Sequence, residues 1–210
     1  MFFLTGELFF PPVSKADENG LLAIGGDLSL ERLKLAYQRG IFPWYSDGEP
    51  ILWYSPNPRM VLFPKDLKIS RSMEQVLRSG RFKVTFNTSF EEVIASCKAI
   101  DRSHQGQGGT WITNEMQKAY IGLHNEGMAK SVEVWEDQKL MGGLYGVEVG
   151  NVFCGESMFS KVSNASKVAL ISLVHNNQKE YELIDCQVYN NHLASLGAQE
   201  IDRGCFLRYL

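Results

Sequence analysis

The sequence predicts an α+β fold in two parts, a small N-terminal domain over residues 1–57 and a larger mixed-sheet domain over residues 58–210. Three observations predict it. Helix-periodic stretches and short apolar runs alternate along the chain, but without the strict strand–helix–strand repetition of a doubly wound sheet. A stretch rich in aromatics and prolines, Trp53-Tyr54-Ser55-Pro56-Asn57-Pro58, interrupts them and sets the boundary. The chain has 210 residues, 44% hydrophobic and 21% charged, enough apolar side chain to build a packed core.

The elements follow in order. Residues 1–28 read mostly as loop, punctuated by Pro11-Pro12, Asn19-Gly20 and Gly25-Gly26. Ser29 is an N-cap for a helix over 30–39, with Leu30, Leu33, Ala36 and Tyr37 as its apolar stripe and Gly40 as its stop. Residues 41–64 are too kinked for a long element. A helix fits 70–79 and a strand 82–86. Thr88-Ser89-Phe90-Glu91 resembles a capping box that opens a helix running to Ala99. Residues 101–109 form a polar, glycine-rich loop. A helix over 114–126 precedes a hairpin, 131–136 with 139–147, turning at Asp137-Gln138. A strand at 152–154, a helix at 165–175, a buried strand at 183–189 and a short helix at 191–196 complete the reading.

Composition excludes several classes. No apolar run reaches the roughly 18 residues that a membrane span needs. Met1-Phe2-Phe3-Leu4 lacks a basic start and is soon broken by Glu7 and Pro11-Pro12, a poor signal peptide. The four cysteines (Cys97, Cys154, Cys186, Cys205) form no CxxC pair, so neither a disulfide framework nor a metal site is expected. A monomeric, cytoplasmic protein without metal is the expectation. Net charge is −3, yet Arg59, Lys65, Lys68, Arg71, Arg78, Arg81 and Lys83 face only Asp66 and Glu74 within residues 59–83. That local excess of five suits a phosphate backbone held at one place, or else a solvated surface.

Four features could carry chemistry. In Leu183-Ile184-Asp185-Cys186-Gln187-Val188, strand alternation puts Asp185 and Gln187 on one face. A carboxylate amid apolar residues is either a buried hydrogen-bond anchor or a functional group. Gly155-Glu156-Ser157-Met158-Phe159-Ser160 directly follows an apolar run, as either a turn cluster or a site at the end of a strand. Trp44, Trp53 and Trp111 sit in loop-like contexts, where an indole either caps a core or stacks on a base. The histidines do not cluster. Gly106-Gln107-Gly108-Gly109 completes neither a P-loop nor the pyrophosphate loop of acetyl-CoA enzymes.

Longer stretches carry a resemblance. Residues 20–29 (GLLAIGGDLS), 36–44 (AYQRGIFPW), 52–59 (LWYSPNPR), 109–113 (GTWIT), 153–160 (FCGESMFS), 164–167 (NASK) and 183–187 (LIDCQ) resemble the leucyl/phenylalanyl-tRNA–protein transferase family of bacteria. The likeness runs from about residue 11 to the end. It departs at Leu144, where a methionine can sit, and at Leu210, short of the usual family terminus. The resemblance implies an acetyltransferase-like (GNAT-related) fold for residues 58–210. It also implies transfer of leucine, phenylalanine or methionine from tRNA to proteins beginning with arginine or lysine, a tag for degradation.

Site roles follow from the same resemblance. Asp185 and Gln187 serve the reaction, and Glu156 meets the acceptor's cationic residue. Trp44, Trp111 and Ser157 hold the terminal adenosine. The donor's apolar side chain needs a pocket, for which Leu144, Leu170, Leu173 and Ile184 are the candidate linings or else plain core, and Lys68, Arg71, Arg78, Arg81 and Lys83 are the candidates to meet tRNA phosphates. An aminoacyl ester is already activated, so no cofactor is expected; the enzyme needs to hold an amine about 3 Å from the ester carbonyl. Two other classes remain open at this point. One is an acyl-CoA-dependent N-acetyltransferase, disfavoured by the missing pyrophosphate loop. The other is a tRNA-binding protein without catalysis.

Overall fold

The structure is a computed structural model and describes residues 2–100, 112–176 and 179–210. Its strands are β1 (Phe2–Leu4), β2 (Leu21–Gly25), β3 (Phe42–Pro43), β4 (Leu52–Tyr54), β5 (Arg59–Leu62), β6 (Lys83–Phe86), β7 (Ala129–Glu136), β8 (Lys139–Val149), β9 (Val152–Ser160), β10 (Leu183–Gln187) and β11 (Gln199–Ile201). Its α-helices are α1 (Leu30–Gln38), α2 (Arg71–Arg78), α3 (Phe90–Ala99), α4 (Asn114–Asn125), α5 (Ala165–Val174), α6 (Asn191–Ser195) and α7 (Arg203–Phe206). Four strands form a small sheet in the order β1-β2-β4-β3, and seven form a large one in the order β11-β5-β10-β9-β8-β7-β6. In the large sheet β9 and β10 run parallel and the other described pairs run antiparallel. The chain thus adopts the α+β, mixed-sheet class that the sequence predicts.

Local chemistry explains most boundaries. The hydroxyls of Ser29, Ser70 and Thr113 accept from the backbone N–H three residues on and start α1, α2 and α4. Asp137 and Gln138 both have positive φ, 48° and 63°, which matches the right-handed twist of the β7–β8 hairpin. Strand alternation sorts the core into two layers. Val61, Tyr145, Val147, Cys154 and Leu183 face one side, packed with α1, α3, α4 and the small sheet. Met60, Leu62, Leu144, Phe153 and Ile184 face the other, under α2 and α5.

Several expectations need correction. Residues 1–28 are mostly loop, as expected, but they also supply β1 and β2, which the sequence reading leaves out; β1 lies parallel to β2, a pairing that needs a distant partner to be visible. The capping box at Thr88–Glu91 does not form, because Ser89 makes no side-chain cap. The Thr88 hydroxyl instead donates to Glu133 at 2.9 Å, and Glu133 also accepts from Thr85 and Ser131. The strand predicted at 152–154 runs on to Ser160, and the one predicted at 183–189 stops at Gln187. The 101–109 loop and Trp111 lie outside the described residues.

The strands β9 and β10 each carry a register shift. Tyr145 pairs with Ser157 and Gly146 with Gly155, so Glu156 is an extra residue in β9. Asp185 pairs with Val61 and Gln187 with Met60, so Cys186 is an extra residue in β10. Such β-bulges bend a strand and re-aim its side chains. Gly146 permits the first of them, since a Cβ there would lie 2.3 Å from the Cys154 carbonyl oxygen. Gly146→Ala is therefore expected to lower stability by about 1–3 kcal/mol, read as a fall in Tm of roughly 2–12 °C by calorimetry.

Candidate active site

Pairing between β9 and β10 ends at Cys154 and Asp185, while β9 continues along β8 to Ser160. Beside this point lies a cavity of about 450 Å³ lined by both strands, a size that suits a small ligand. Leu144, Phe153, Met158, Leu170, Leu173 and Ile184 make it apolar on the α5 side. Phe42, Pro43, Trp44 and Ile100 line it from the other side. Glu156, Asp185 and Gln187 also line it, and Ser157, Ser160, Ser166, Asn190 and His192 add further polar groups to its wall.

The bulges bring those polar groups into contact. Gln187 has φ 64°, a left-handed conformation that costs a non-glycine residue about 1–3 kcal/mol unless its surroundings hold it. Here the Gln187 backbone N–H donates to Asp185 Oδ1 at 2.9 Å and its side-chain Nε2 donates to Glu156 Oε1 at 2.8 Å. Asp185 is fully buried and is held by Arg59, whose Nε and Nη2 reach its two oxygens at 2.8 and 2.7 Å. Arg59 is itself buried, donates to the Gly40 carbonyl at 3.2 Å, and lies between the rings of Phe42 and Phe206 at 4.8 and 4.6 Å. Burial works against the Arg59 charge, and Asp185 more than restores it, leaving the guanidinium above its ordinary range.

Glu156 is the second buried carboxylate. Besides Gln187 it accepts from the Tyr37 hydroxyl at 2.8 Å and the Tyr120 hydroxyl at 3.0 Å. Its carboxyl is raised to about 7 on balance: burial pushes it up most, the hydrogen bonds from Tyr37, Tyr120 and Gln187 pull against this, and the nearby Asp185 adds to the rise. It stands inside a strand, at the bulge, and not where the chain leaves the sheet, as the sequence suggested.

The structure thus joins Glu156, Asp185 and Gln187 into one network and puts Leu144, Leu170, Leu173, Ile184, Ser157 and Trp44 around the same cavity. Sequence reasoning does not reach Phe153, Met158, Tyr37, Tyr120 or Arg59. Tyr37 and Tyr120 sit at apolar-periodic helix positions, where nothing local separates them from core. Arg59 counts in sequence with the basic stretch, and its burial removes it from that patch. Lys68, Arg71, Arg78, Arg81 and Lys83 are all exposed, although Arg78 pairs with Glu74 at 3.5 Å and Arg81 with Glu136 at 2.6 Å. Among the described residues no group of His, Cys, Asp and Glu gathers to hold a metal ion, and no helix is long and apolar enough to cross a membrane.

An apolar chamber ending on a fixed amide and a buried carboxylate suits an enzyme that moves an apolar acyl group onto an amine. Residues 61–210 match the family described as leucyl/phenylalanyl-tRNA protein transferase, and residues 26–57 match the N-terminal domain of the same family. A Flavobacterium johnsoniae protein named leucyl/phenylalanyl-tRNA--protein transferase is 63% identical over 100% of this chain and 99% of its own. A Pectobacterium carotovorum protein of the same name is 56% identical over 97% of this chain and 86% of its own. A solved GCN5-related N-acetyltransferase from Kribbella flavida is similar at a TM-score of 0.41 and 11% identity, over 80% of this chain and 59% of that one, too distant to bear on chemistry. The chain belongs to the leucyl/phenylalanyl-tRNA–protein transferase family. It is an aminoacyltransferase that carries an aminoacyl group from tRNA to protein.

The Arg59–Asp185 pair makes a sharp prediction. Arg59→Ala leaves an uncompensated buried carboxylate and is expected to cost about 3–5 kcal/mol, visible as a fall in Tm of roughly 6–20 °C. The double variant Arg59→Met/Asp185→Leu is expected to regain most of that stability while losing transfer, as thermal melts and a turnover assay run side by side will read.

Proposed function

We propose that the cavity takes the leucyl, phenylalanyl or methionyl side chain of the donor, and that the acceptor's N-terminal amine attacks at its Gln187 end. The observation that carries this reading is the adjacency of a 450 Å³ apolar chamber to an amide whose orientation is set. Because Gln187 Nε2 is committed to Glu156, its amide oxygen is the acceptor left for an N–H of the attacking amine. The new C–N bond forms as the ester C–O bond breaks, and the amine's proton ends on the released ribose hydroxyl. Asp185, enclosed and bonded to Arg59 and to the Gln187 backbone, holds Gln187 in place and does not take the proton. Glu156 fixes the Gln187 amide and offers negative charge to an acceptor beginning with arginine or lysine.

Trp44 and Ser157 are assigned to the terminal adenosine, together with Trp111 beyond the described residues. Lys68, Arg71, Arg78, Arg81 and Lys83 are assigned to tRNA phosphates, as a salt-sensitive contact without sequence readout. Residues 1–57 and 58–210 act as two domains of a cytoplasmic monomer whose product is marked for degradation.

Donor choice tests the chamber. Burying a leucyl or phenylalanyl side chain is worth roughly 1.5–3 kcal/mol, most of which a seryl donor forfeits. Valine carries its bulk beside the backbone and is stiff at χ1, which a narrow entrance excludes. Leucyl and methionyl donors are expected to outpace valyl and seryl donors by roughly tenfold or more in kcat/KM with one arginine-starting peptide. Valyl transfer equal to leucyl transfer would contradict the chamber's role.

A further inference from the structure

Two phenols stand behind Glu156. Tyr37 comes from α1 and Tyr120 from α4, and both are buried, at 2% and 0% exposure. Their rings meet edge to face with centroids 6.5 Å apart, and their hydroxyls contact each other. Tyr37 reaches Glu156 Oε1 and Tyr120 reaches Oε2, so each carboxylate oxygen has its own phenol. Burial, reinforced by Glu156, pushes both phenols well above their ordinary range, which keeps them neutral donors.

Proton counting gives this arrangement a consequence. Two phenols hold two donatable protons, and with Glu156 charged both point at it. If Glu156 gains a proton, it becomes a donor itself, and the phenol–phenol contact can take up one of the freed hydroxyls. The Gln187 Nε2 that bonded Oε1 then competes with a carboxylic acid, and the Gln187 amide loses the partner that set its orientation. The other ionisable groups bearing on this cluster are Asp185 on β10, Arg59 on β5, Cys154 on β9 and Tyr145 on β8. Arg59 and Asp185 are tied to each other, which leaves the phenols as the hydroxyl donors that act on Glu156 directly.

We propose that Tyr37 and Tyr120 are positioning residues of the transfer reaction: by donating to both oxygens of Glu156 they keep it a charged acceptor, and through it they hold the Gln187 amide. This rests on Gln187 being the group that meets the attacking amine. Either phenol's loss weakens the charged form, so Glu156 takes up its proton at higher pH and the acid side of the rate profile moves upward.

The test is the rate of leucyl transfer from charged tRNA to an arginine-starting peptide between pH 6 and 9, for wild type, Tyr37→Phe and Tyr120→Phe. The acceptor amine titrates in the same range, but identically for each enzyme, so the ratio of variant to wild-type rate isolates the effect. A deficit of about tenfold at pH 6.5 that closes toward pH 9 is expected for each variant. A ratio that is the same at every pH, whether reduced or equal to one, overturns the proposal, because packing loss alone does not follow pH. Circular dichroism confirms folding, and Tyr120→Phe decides the matter if Tyr37→Phe does not fold. Gln187→Ala separates the two levels. Its full activity removes the Gln187 reading beneath the proposal, whereas its inactivity beside flat tyrosine ratios removes the tyrosine proposal alone.

Discussion

Taking a guanidinium and a carboxylate out of water costs several kcal/mol for each ion, and their attraction repays this only when geometry is good and other polar atoms are satisfied. Arg59 and Asp185 meet those terms with a two-pronged contact in which both partners are shut from solvent. Arg59 sits in β5, just after the segment that ends the small sheet, and it bonds back to Gly40 and stacks on Phe42. On its other face lies Phe206 of the C-terminal helix α7. One side chain therefore ties the start of the large sheet, the aromatic segment at 40–44 and the C-terminal helix to the strand that carries Gln187. Trp44, which lines the cavity, belongs to the segment so tied.

From this anchor the site follows by geometry. A regular β10 would end its alternation at Asp185 with Gln187 simply two residues on. The bulge at Cys186 and the left-handed turn at Gln187 instead let the Asp185 carboxylate cap the Gln187 N–H. The bulge at Glu156 in the neighbouring strand sets a second carboxylate where it bonds the same side chain. A strained backbone held by two hydrogen bonds exchanges stability for a fixed amide, a common bargain at sites that bind a reacting group. Where β9 and β10 cease to pair, the sheet admits a chamber that reaches both layers of the core.

What is legible in the sequence is mostly local. The cap at Ser29 and the turn at Asp137-Gln138 depend on neighbours a few residues away, and the structure has them where the pattern puts them. The bulges are not legible, because a register shift exists only relative to a partner strand. Gly155 reads as the end of a strand for this reason, although it lies opposite Gly146 inside one. Thr88 reads as part of a cap, yet its hydroxyl is drawn to Glu133, a residue 45 positions away whose burial no local pattern announces. Arg59 reads as the first member of a basic stretch, although Met60-Val61-Leu62-Phe63 beside it are apolar; its partner lies 126 residues on. Asp185, Gln187 and Glu156 stand out by family resemblance and by one carboxylate in an apolar strand. Their mutual contacts come only from the folded chain.

The central claim is that Gln187, held by Asp185 and Glu156, is the group that meets the attacking amine. A crystal structure with a 3′-amide-linked leucyl adenosine and an arginine-starting peptide tests it most directly, since the amide linkage cannot be cleaved as an ester is. The leucyl side chain is expected among Leu144, Leu170 and Ile184, and the peptide's terminal nitrogen within about 3.2 Å of the Gln187 amide oxygen. A nitrogen bonded to Asp185, with the Arg59 contact broken, would contradict the claim.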